Sequence, residues 1–226
     1  MIDIAKSIKE LKKLCYEIRK DIITSLADSG SGHPGASLSS VEILVSLFFN
    51  EILKHDPKDS RWEDRDRFIL SKGHGCPALY AIMGRRGYFP LTELKTLRKT
   101  GSRLQGHPSR TDLPEVEVST GSLGQGLSVA IGLAFGAKLD NRKFHTFCLT
   151  GDGEIQEGQI WEAAMCAAHY KLDNLCWIID RNRIQQNGPT ETIMGLEPLK
   201  DKLKSFGWYV MNIDGCLLYT SPSPRD

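Results

Sequence analysis

Two apolar runs with matching ends constrain this chain more than anything else in it. Thr146-Phe147-Cys148-Leu149-Thr150 stops at Gly151-Asp152-Gly153, an amphipathic stretch follows, and Leu175-Cys176-Trp177-Ile178-Ile179 stops at Asp180-Arg181-Asn182. The 28 residues between Gly153 and Asn182 hold one helix and one strand. That order predicts a parallel strand, helix, strand unit, with Asp152 and Asn182 just past the carboxyl ends of the two strands, where open α/β sheets bind ligands. A carboxylate and an amide oxygen converging there suit magnesium, which takes few protein oxygens and completes its shell with phosphate and water. The expectation from these residues alone is a metal-bridged diphosphate site.

The chain has 226 residues, 40% of them hydrophobic and 25% charged, enough for one globular α/β domain with a substantial core. A formal net charge of +1 with both signs interspersed gives no basic field for nucleic acid and no acidic tail for a basic partner. Cys15, Cys76, Cys148, Cys166, Cys176 and Cys216 show neither C-x-x-C pairs nor metal-finger spacing, so buried thiols in a reducing compartment are expected. No apolar run is long enough to span a membrane, and the amino terminus has a charged helical pattern unlike a signal peptide. The reading is a cytoplasmic protein without membrane segments.

Upstream, Ile4, Ile8, Leu11, Leu14, Ile18, Ile22 and Leu26 recur at helical spacing until residues 28–35, a Ser/Gly/Pro loop, break the pattern. A second helix is expected from Ser39 or Ser40, capped by a hydroxyl, and a buried strand at residues 67–71. A helix resumes near Ala78, a capped polar helix covers residues 92–100, and a long loop runs over 101–114. Residues 116–118 read as a short strand, 127–139 as a buried apolar helix, 198–206 as a helix and 208–213 as a strand. Strands alternating with helices imply an α/β fold: a mostly parallel sheet with helices on both faces.

Three histidines lie beside glycine in loops: Gly32-His33-Pro34, Gly73-His74-Gly75 and Gly106-His107-Pro108. Glycine leaves room for a ligand beside the imidazole, and histidine carries protons near neutral pH. His55, His145 and His169 lack that setting and read as structural. Gly121-Ser122-Leu123-Gly124-Gln125-Gly126 precedes a helix as phosphate loops do, but its spacing is G-x-x-G-x-G and no Gly-Lys-Ser follows. A phosphate loop and close helix packing are both open there. Glu154 and Glu157 flank the Asp152 site, and Glu157 is the candidate of the two.

As a set these motifs resemble the transketolase family, specifically its thiamine-diphosphate-binding half. Gly151-Asp152-Gly153 with Asn182 is joined in family order by residues 31–35, 64–68, 71–75, 106–108 and 121–126, then by Glu157-Gly158 and Phe206-Gly207-Trp208. The resemblance covers residues 5–215. It implies a thiamine-diphosphate-binding fold and a metal, Mg2+ with Ca2+ or Mn2+ as substitutes, held by Asp152, Asn182 and the carbonyl of Ile184. It further implies that Gly153 admits the diphosphate, that His74 binds the cofactor, and that Gly121, Ser122 and Leu123 contact it near the aminopyrimidine. Ser122 stands where the family often has proline. His33 and His107 would face the sugar, and Glu157 would lie toward a dimer interface.

The activity so implied is reversible transfer of a two-carbon ketol unit from a ketose phosphate to an aldose phosphate. The glutamate that activates the aminopyrimidine belongs, in the family, to a further pyrimidine-binding domain. Some relatives encode that domain as a separate carboxyl-terminal subunit, so the expected partners are sugar phosphates and that subunit, in a homodimer or heterotetramer. Residues 1–215 are expected to form the thiamine-diphosphate-binding domain, cut short at its carboxyl end, and residues 216–226 a disordered or foreign tail. The rival readings are another thiamine-diphosphate enzyme, such as 1-deoxyxylulose-5-phosphate synthase or a 2-oxo-acid dehydrogenase subunit, and a cofactor-binding module without turnover of its own. The Ser-Gly-His-Pro-Gly and Gly-His-Pro loops favour transketolase over the dehydrogenase.

Overall fold

A computed structural model describes residues 7–215, so Ile4 and the tail expected at 216–226 lie outside the described residues. The described chain forms two compact units, one of residues 7–66, 74–119 and 213–215, the other of residues 67–73 and 120–212.

The first unit is helical. In α1 (Ile8–Ser29), Ser7 and Glu10 form a reciprocal capping box, with Ser7 N donating to Glu10 Oε2 at 2.8 Å, and Gly30 ends the helix in the left-handed conformation. Its buried stripe is Leu11, Cys15, Ile18, Ile22 and Ser25, at alternating steps of four and three residues; Ile8, expected on that face, is exposed. The stripe packs on α3 (Val41–Phe49) and α4 (Cys76–Arg86). Between α1 and α3, the loop expected at 28–35 closes early into α2 (Pro34–Leu38), because Pro34 at its start needs no N–H partner and already has a helical φ. The helix expected at 92–100 is instead a 3-10 turn, Leu91–Thr96.

The strand expected at 116–118 does not form. Its groups find other partners in place of a ladder: Val116 N donates to the Leu113 carbonyl at 3.1 Å, Arg110 Nη1 donates to the Glu117 carbonyl, and Arg65 Nη2 reaches both Glu117 carboxylate oxygens at 2.8 Å.

The second unit is built on a parallel sheet in the order β1 (Arg67–Leu70), β2 (Thr146–Gly151), β3 (Leu175–Asp180). Ile69 pairs with Cys148, Cys148 with Trp177, and Gly151 with Asp180, so the ends of β2 and β3 are level. The central strand β2 is buried from Thr146 to Thr150, as a near-continuous apolar run in a parallel sheet should be. Helix α5 (Gln125–Leu139) crosses all three strands through Leu127, Ala130, Ile131, Ala134 and Ala137. Helix α6 (Gly158–His169) packs on α5 and connects β2 to β3.

After β3 come a two-residue hairpin, β4 (Ile184–Gln185) with β5 (Gly188–Pro189), then the short α7 (Thr190–Ile193) and α8 (Leu199–Ser205). The strand expected at 208–213 is absent: Trp208 N caps the Leu203 carbonyl, its indole donates to Ala164 O at 2.9 Å, and Tyr209 beyond it is 86% exposed.

Of the described cysteines all are free; Cys15, Cys76 and Cys148 are buried and Cys166 and Cys176 partly so. Among the described residues no helix is long and apolar enough to cross a membrane.

Candidate cofactor and metal site

The end of β2 delivers Asp152 into a buried position, 1% exposed, with its N–H on the Asp180 carbonyl at 3.2 Å. Its two carboxylate oxygens are used unequally. Oδ2 accepts from Arg181 Nη1 at 2.8 Å, Arg183 N at 2.7 Å and Thr190 Oγ1 at 3.1 Å, whereas Oδ1 accepts one hydrogen bond, from Gly153 N at 2.8 Å. The carboxylate is thus anchored through one oxygen while the other keeps lone-pair capacity. Asn182 turns its amide oxygen back onto Ile184 N at 2.9 Å, and Arg183 between them takes a left-handed φ of 65°. Ile184 opens β4 opposite Pro189, which has no N–H to give to the Ile184 carbonyl.

These are the residues expected to hold a cation, and their donors fit one: a carboxylate oxygen, an amide oxygen and a carbonyl, all hard oxygens as Mg2+ or Ca2+ requires. Among the described residues no group of three or more His, Cys, Asp or Glu is placed to hold a metal ion, and with its single carboxylate this site does not need one.

Gly153 leaves little room beside its backbone: a Cβ there would lie 3.0 Å from Gln185 Cγ. In the loop before α5, both open readings of the glycines have a structural counterpart. Gly126 is there for packing, since a Cβ would stand 2.5 Å from Ser71 Cβ and 2.8 Å from Ser71 Cα. Gly124 instead adopts a left-handed φ of 84° that ends the loop and starts the helix. Ser122 is exposed, Gly121 and Leu123 are partly so, and the adjoining Thr120 hydroxyl oxygen is buried with no hydrogen-bond partner. Glu157 is exposed at the start of α6.

The three glycine-flanked histidines belong to the helical unit, and they gather there. The rings of His33 and His74 meet edge to face at 5.3 Å. His107 is held through its backbone: Tyr80 Oη donates to the carbonyls of His107 at 3.2 Å and Gln105 at 3.0 Å, and Cys76 Sγ donates to Gly106 O at 3.2 Å. Burial keeps the Tyr80 phenol protonated and pushes the Cys76 thiol up to about 12, so both remain donors. The His107 pKa is lowered, first by partial burial and then by the positive charges of His33 and Arg98. A ring that is neutral at neutral pH is available as a proton acceptor. His55, by contrast, is tied to Tyr88 Oη at 2.8 Å and the Phe48 carbonyl at 3.1 Å, which agrees with a structural role.

Residues 11–216 match the thiamine diphosphate binding domain of transketolase. The chain belongs to the transketolase family. It is 46% identical to a 6-deoxy-6-sulfo-D-fructose transketolase subunit of Clostridium sp., over 91% of this chain and 74% of that one. It is also 46% identical to an apulose-4-phosphate transketolase subunit of Actinobacillus succinogenes, over 92% and 76%. The solved transketolase of Campylobacter jejuni superposes with a TM-score of 0.87 at 35% identity, covering 93% of this chain. The chain spans about a third of that solved transketolase, at 34% of its length. The family and its α/β fold agree with the reading from sequence.

Three residues at the ends of β2 and β3 and just past β1 escaped the reading from sequence. Arg181 bridges Asp152 to Glu191 at 2.5 Å and Glu197 at 3.1 Å. Lys72, 1% exposed, pairs with Asp180 at 2.5 Å. Glu154, noted in the sequence only as a flank of Asp152, is 2% exposed and fully engaged. For Lys72 a signal existed, since a lysine ending an apolar strand must find a counter-charge; for Arg181 and Glu154 only the fold reveals the partners.

Proposed function

We propose that this chain is the amino-terminal, cofactor-binding subunit of a two-subunit transketolase, which transfers a two-carbon ketol unit reversibly between a ketose phosphate and an aldose phosphate. The observation that carries the reading is the asymmetric use of the Asp152 carboxylate, one oxygen anchored by three donors and the other left with capacity, beside Asn182 and Ile184. In a family defined by binding thiamine diphosphate, this is a divalent-cation site for a diphosphate.

Asp152, Asn182 and the Ile184 carbonyl would hold Mg2+, with Ca2+ or Mn2+ as substitutes. Gly153 and the backbone of Gly121, Ser122 and Leu123 would let the cofactor approach closely, and His74 would bind it. When bound, thiamine diphosphate supplies the electron sink for breaking the bond beside a ketose carbonyl. His33 and His107 would orient the sugar hydroxyls and move their protons; the lowered His107 pKa supports a neutral ring that accepts one. Exposure of Glu157 and of Ser128, Val129 and Gly132 on α5 supports a further subunit there, in a homodimer or heterotetramer. The two relatives are named as subunits, which supports a pyrimidine-binding carboxyl-terminal partner.

Thermal melting with thiamine diphosphate and Mg2+ at a hundredfold excess over Kd should stabilise the protein by about 2.7 kcal/mol. Adding the carboxyl-terminal subunit should then produce ketol transfer from a ketose phosphate. A cofactor-insensitive melt together with no transfer in the reconstituted complex refutes the reading.

A further inference from the structure

Glu154 is a buried carboxylate with no place in the chemistry above, and it gathers three separate segments of the sheet unit. Oε1 accepts from the Ser71 hydroxyl, just past β1, and from Gly124 N at 2.9 Å, at the end of the glycine loop. Oε2 accepts from Gly151 N at 3.0 Å, at the end of β2. The loop is gripped from α6 as well: Gln159 Nε2 donates to the Leu123 carbonyl at 2.9 Å, and Gln125 Nε2 donates to Gln159 Oε1 at 2.7 Å.

We infer that Glu154 is a positioning residue that sets the Gly121–Gly124 loop against Gly151-Asp152-Gly153, and so sets cofactor affinity without touching the cofactor. The inference rests on the cofactor-binding role proposed for these two segments.

The donor pattern is what makes a carboxylate necessary. All three partners donate, and two of them are backbone N–H groups that cannot reverse their sense. An ionised carboxylate is acceptor-only and satisfies both sides. A glutamine of the same shape must aim its NH2 at Gly151 N–H in one orientation and at Gly124 N–H in the other, leaving a buried donor unmet either way. Gly124 packs closely on α6, since a Cβ on it would lie 2.9 Å from Glu157 Cβ and 2.7 Å from Gln159 Nε2. Loss of the Glu154 contact therefore frees the loop rather than tightening it.

The test compares wild type, Glu154→Gln and Ile155→Val, the last a stability control next in sequence with a buried aliphatic side chain. Without cofactor, amide exchange at whichever of Gly124 and Gly151 faces the glutamine NH2 should be at least about tenfold faster in Glu154→Gln than in the control, the loss expected when a buried hydrogen bond is broken. With thiamine diphosphate and Mg2+, the Kd for the cofactor should rise about tenfold. In the reconstituted two-subunit enzyme the cofactor KM should rise equally, while kcat at saturating cofactor stays within about twofold.

Unchanged exchange or unchanged cofactor affinity in Glu154→Gln overturns the inference. If wild type itself fails to bind the cofactor, the proposed role of the site fails, and the exchange comparison still decides whether Glu154 orders the loop. Should Glu154→Gln not fold, Glu154→Asp keeps the charge and the nearby Gly151 bond but is one methylene too short to hold Gly124 as well. It should speed exchange at Gly124 while sparing Gly151, and wild-type exchange at Gly124 again overturns the inference.

Discussion

Replacing Asp152 separates two roles of one side chain. In the metal-free protein Asp152→Ala removes the acceptor for Arg181 Nη1, Arg183 N, Thr190 Oγ1 and Gly153 N. Arg181 keeps Glu191 and Glu197 as counter-charges, so its guanidinium is not stranded. The cost falls instead on the fully buried Thr190 hydroxyl and on the Arg183 N–H. A loss of about 3 kcal/mol is expected, from two donors left unmet at about 1–3 kcal/mol each. Asp152→Asn retains an acceptor toward Arg181 but turns an NH2 toward Gly153 N–H, and should lose about 1 kcal/mol. Urea unfolding without ligand measures both. Each variant should also lose the stabilisation that thiamine diphosphate with Mg2+ confers on wild type, about 2.7 kcal/mol at a hundredfold excess over Kd. The two readouts are independent: destabilised variants that still respond to cofactor like wild type would refute the metal assignment, and unaltered urea midpoints would refute the anchoring role of Oδ2.

Three other perturbations follow from the same geometry. The folded pKa of His107 lies below the 6.5 of a free imidazole, so its neutral form favours folding; that contribution is intact above pH 6.5 and is lost as pH falls through the lowered value. NMR titration should show His107 moving back toward 6.5 in His33→Ala, though incompletely because burial is the larger cause, and no movement would mean the two rings do not sense each other. Gly126→Ala places a methyl 2.8 Å from Ser71 Cα and should cost about 3 kcal/mol in urea unfolding, the upper part of the overpacking range; an unchanged midpoint would contradict the close approach of α5 to β1. Lys72→Met leaves Asp180 buried without its lysine and should cost about 3–5 kcal/mol, with Lys72→Met/Asp180→Asn recovering part of it; simple additivity in that double-mutant cycle would deny the pair any coupling.

Much of this site could be read from the sequence because its key residues sit where local patterns change. The runs before Gly151 and Asp180 are largely apolar and end abruptly, which located β2, β3 and the metal ligands proposed beyond them. The glycine-flanked histidines marked themselves by composition. What failed had a different origin. Residues 116–118 and 208–213 carry strand-like residues, but a strand exists only with a partner, and no local pattern shows that Arg110 and Arg65 claim Glu117 or that Trp208 is tied to α8 and α6. The charged partners were hidden by distance along the chain. Arg181 meets Asp152 across 29 positions, Glu154 meets Ser71 across 83, and Lys72 meets Asp180 across 108. Each pairing is decided by strand order, a property of the assembled sheet.

That strand order also explains why two carboxylates two residues apart behave so differently. Asp152 and Glu154 both follow β2 and both are buried, yet their donors arrive from opposite sides of the sheet order. Those on Asp152 Oδ2 come from the chain after β3, namely Arg181, Arg183 and Thr190. Those on Glu154 come from the ends of β1 and β2 and from the loop before α5. Burial raises the Glu154 pKa, and the Ser71, Gly124 and Gly151 donors together with the Lys72 charge act against that rise. Its negative charge is spent on protein donors, which suits a role in holding backbone. Asp152 retains capacity on one oxygen, which suits a role in holding a cation. With the central strand β2 between them, the turn that follows it serves both neighbours at once: Asp152 organises the chain beyond β3, and Glu154 the loop that leads into α5.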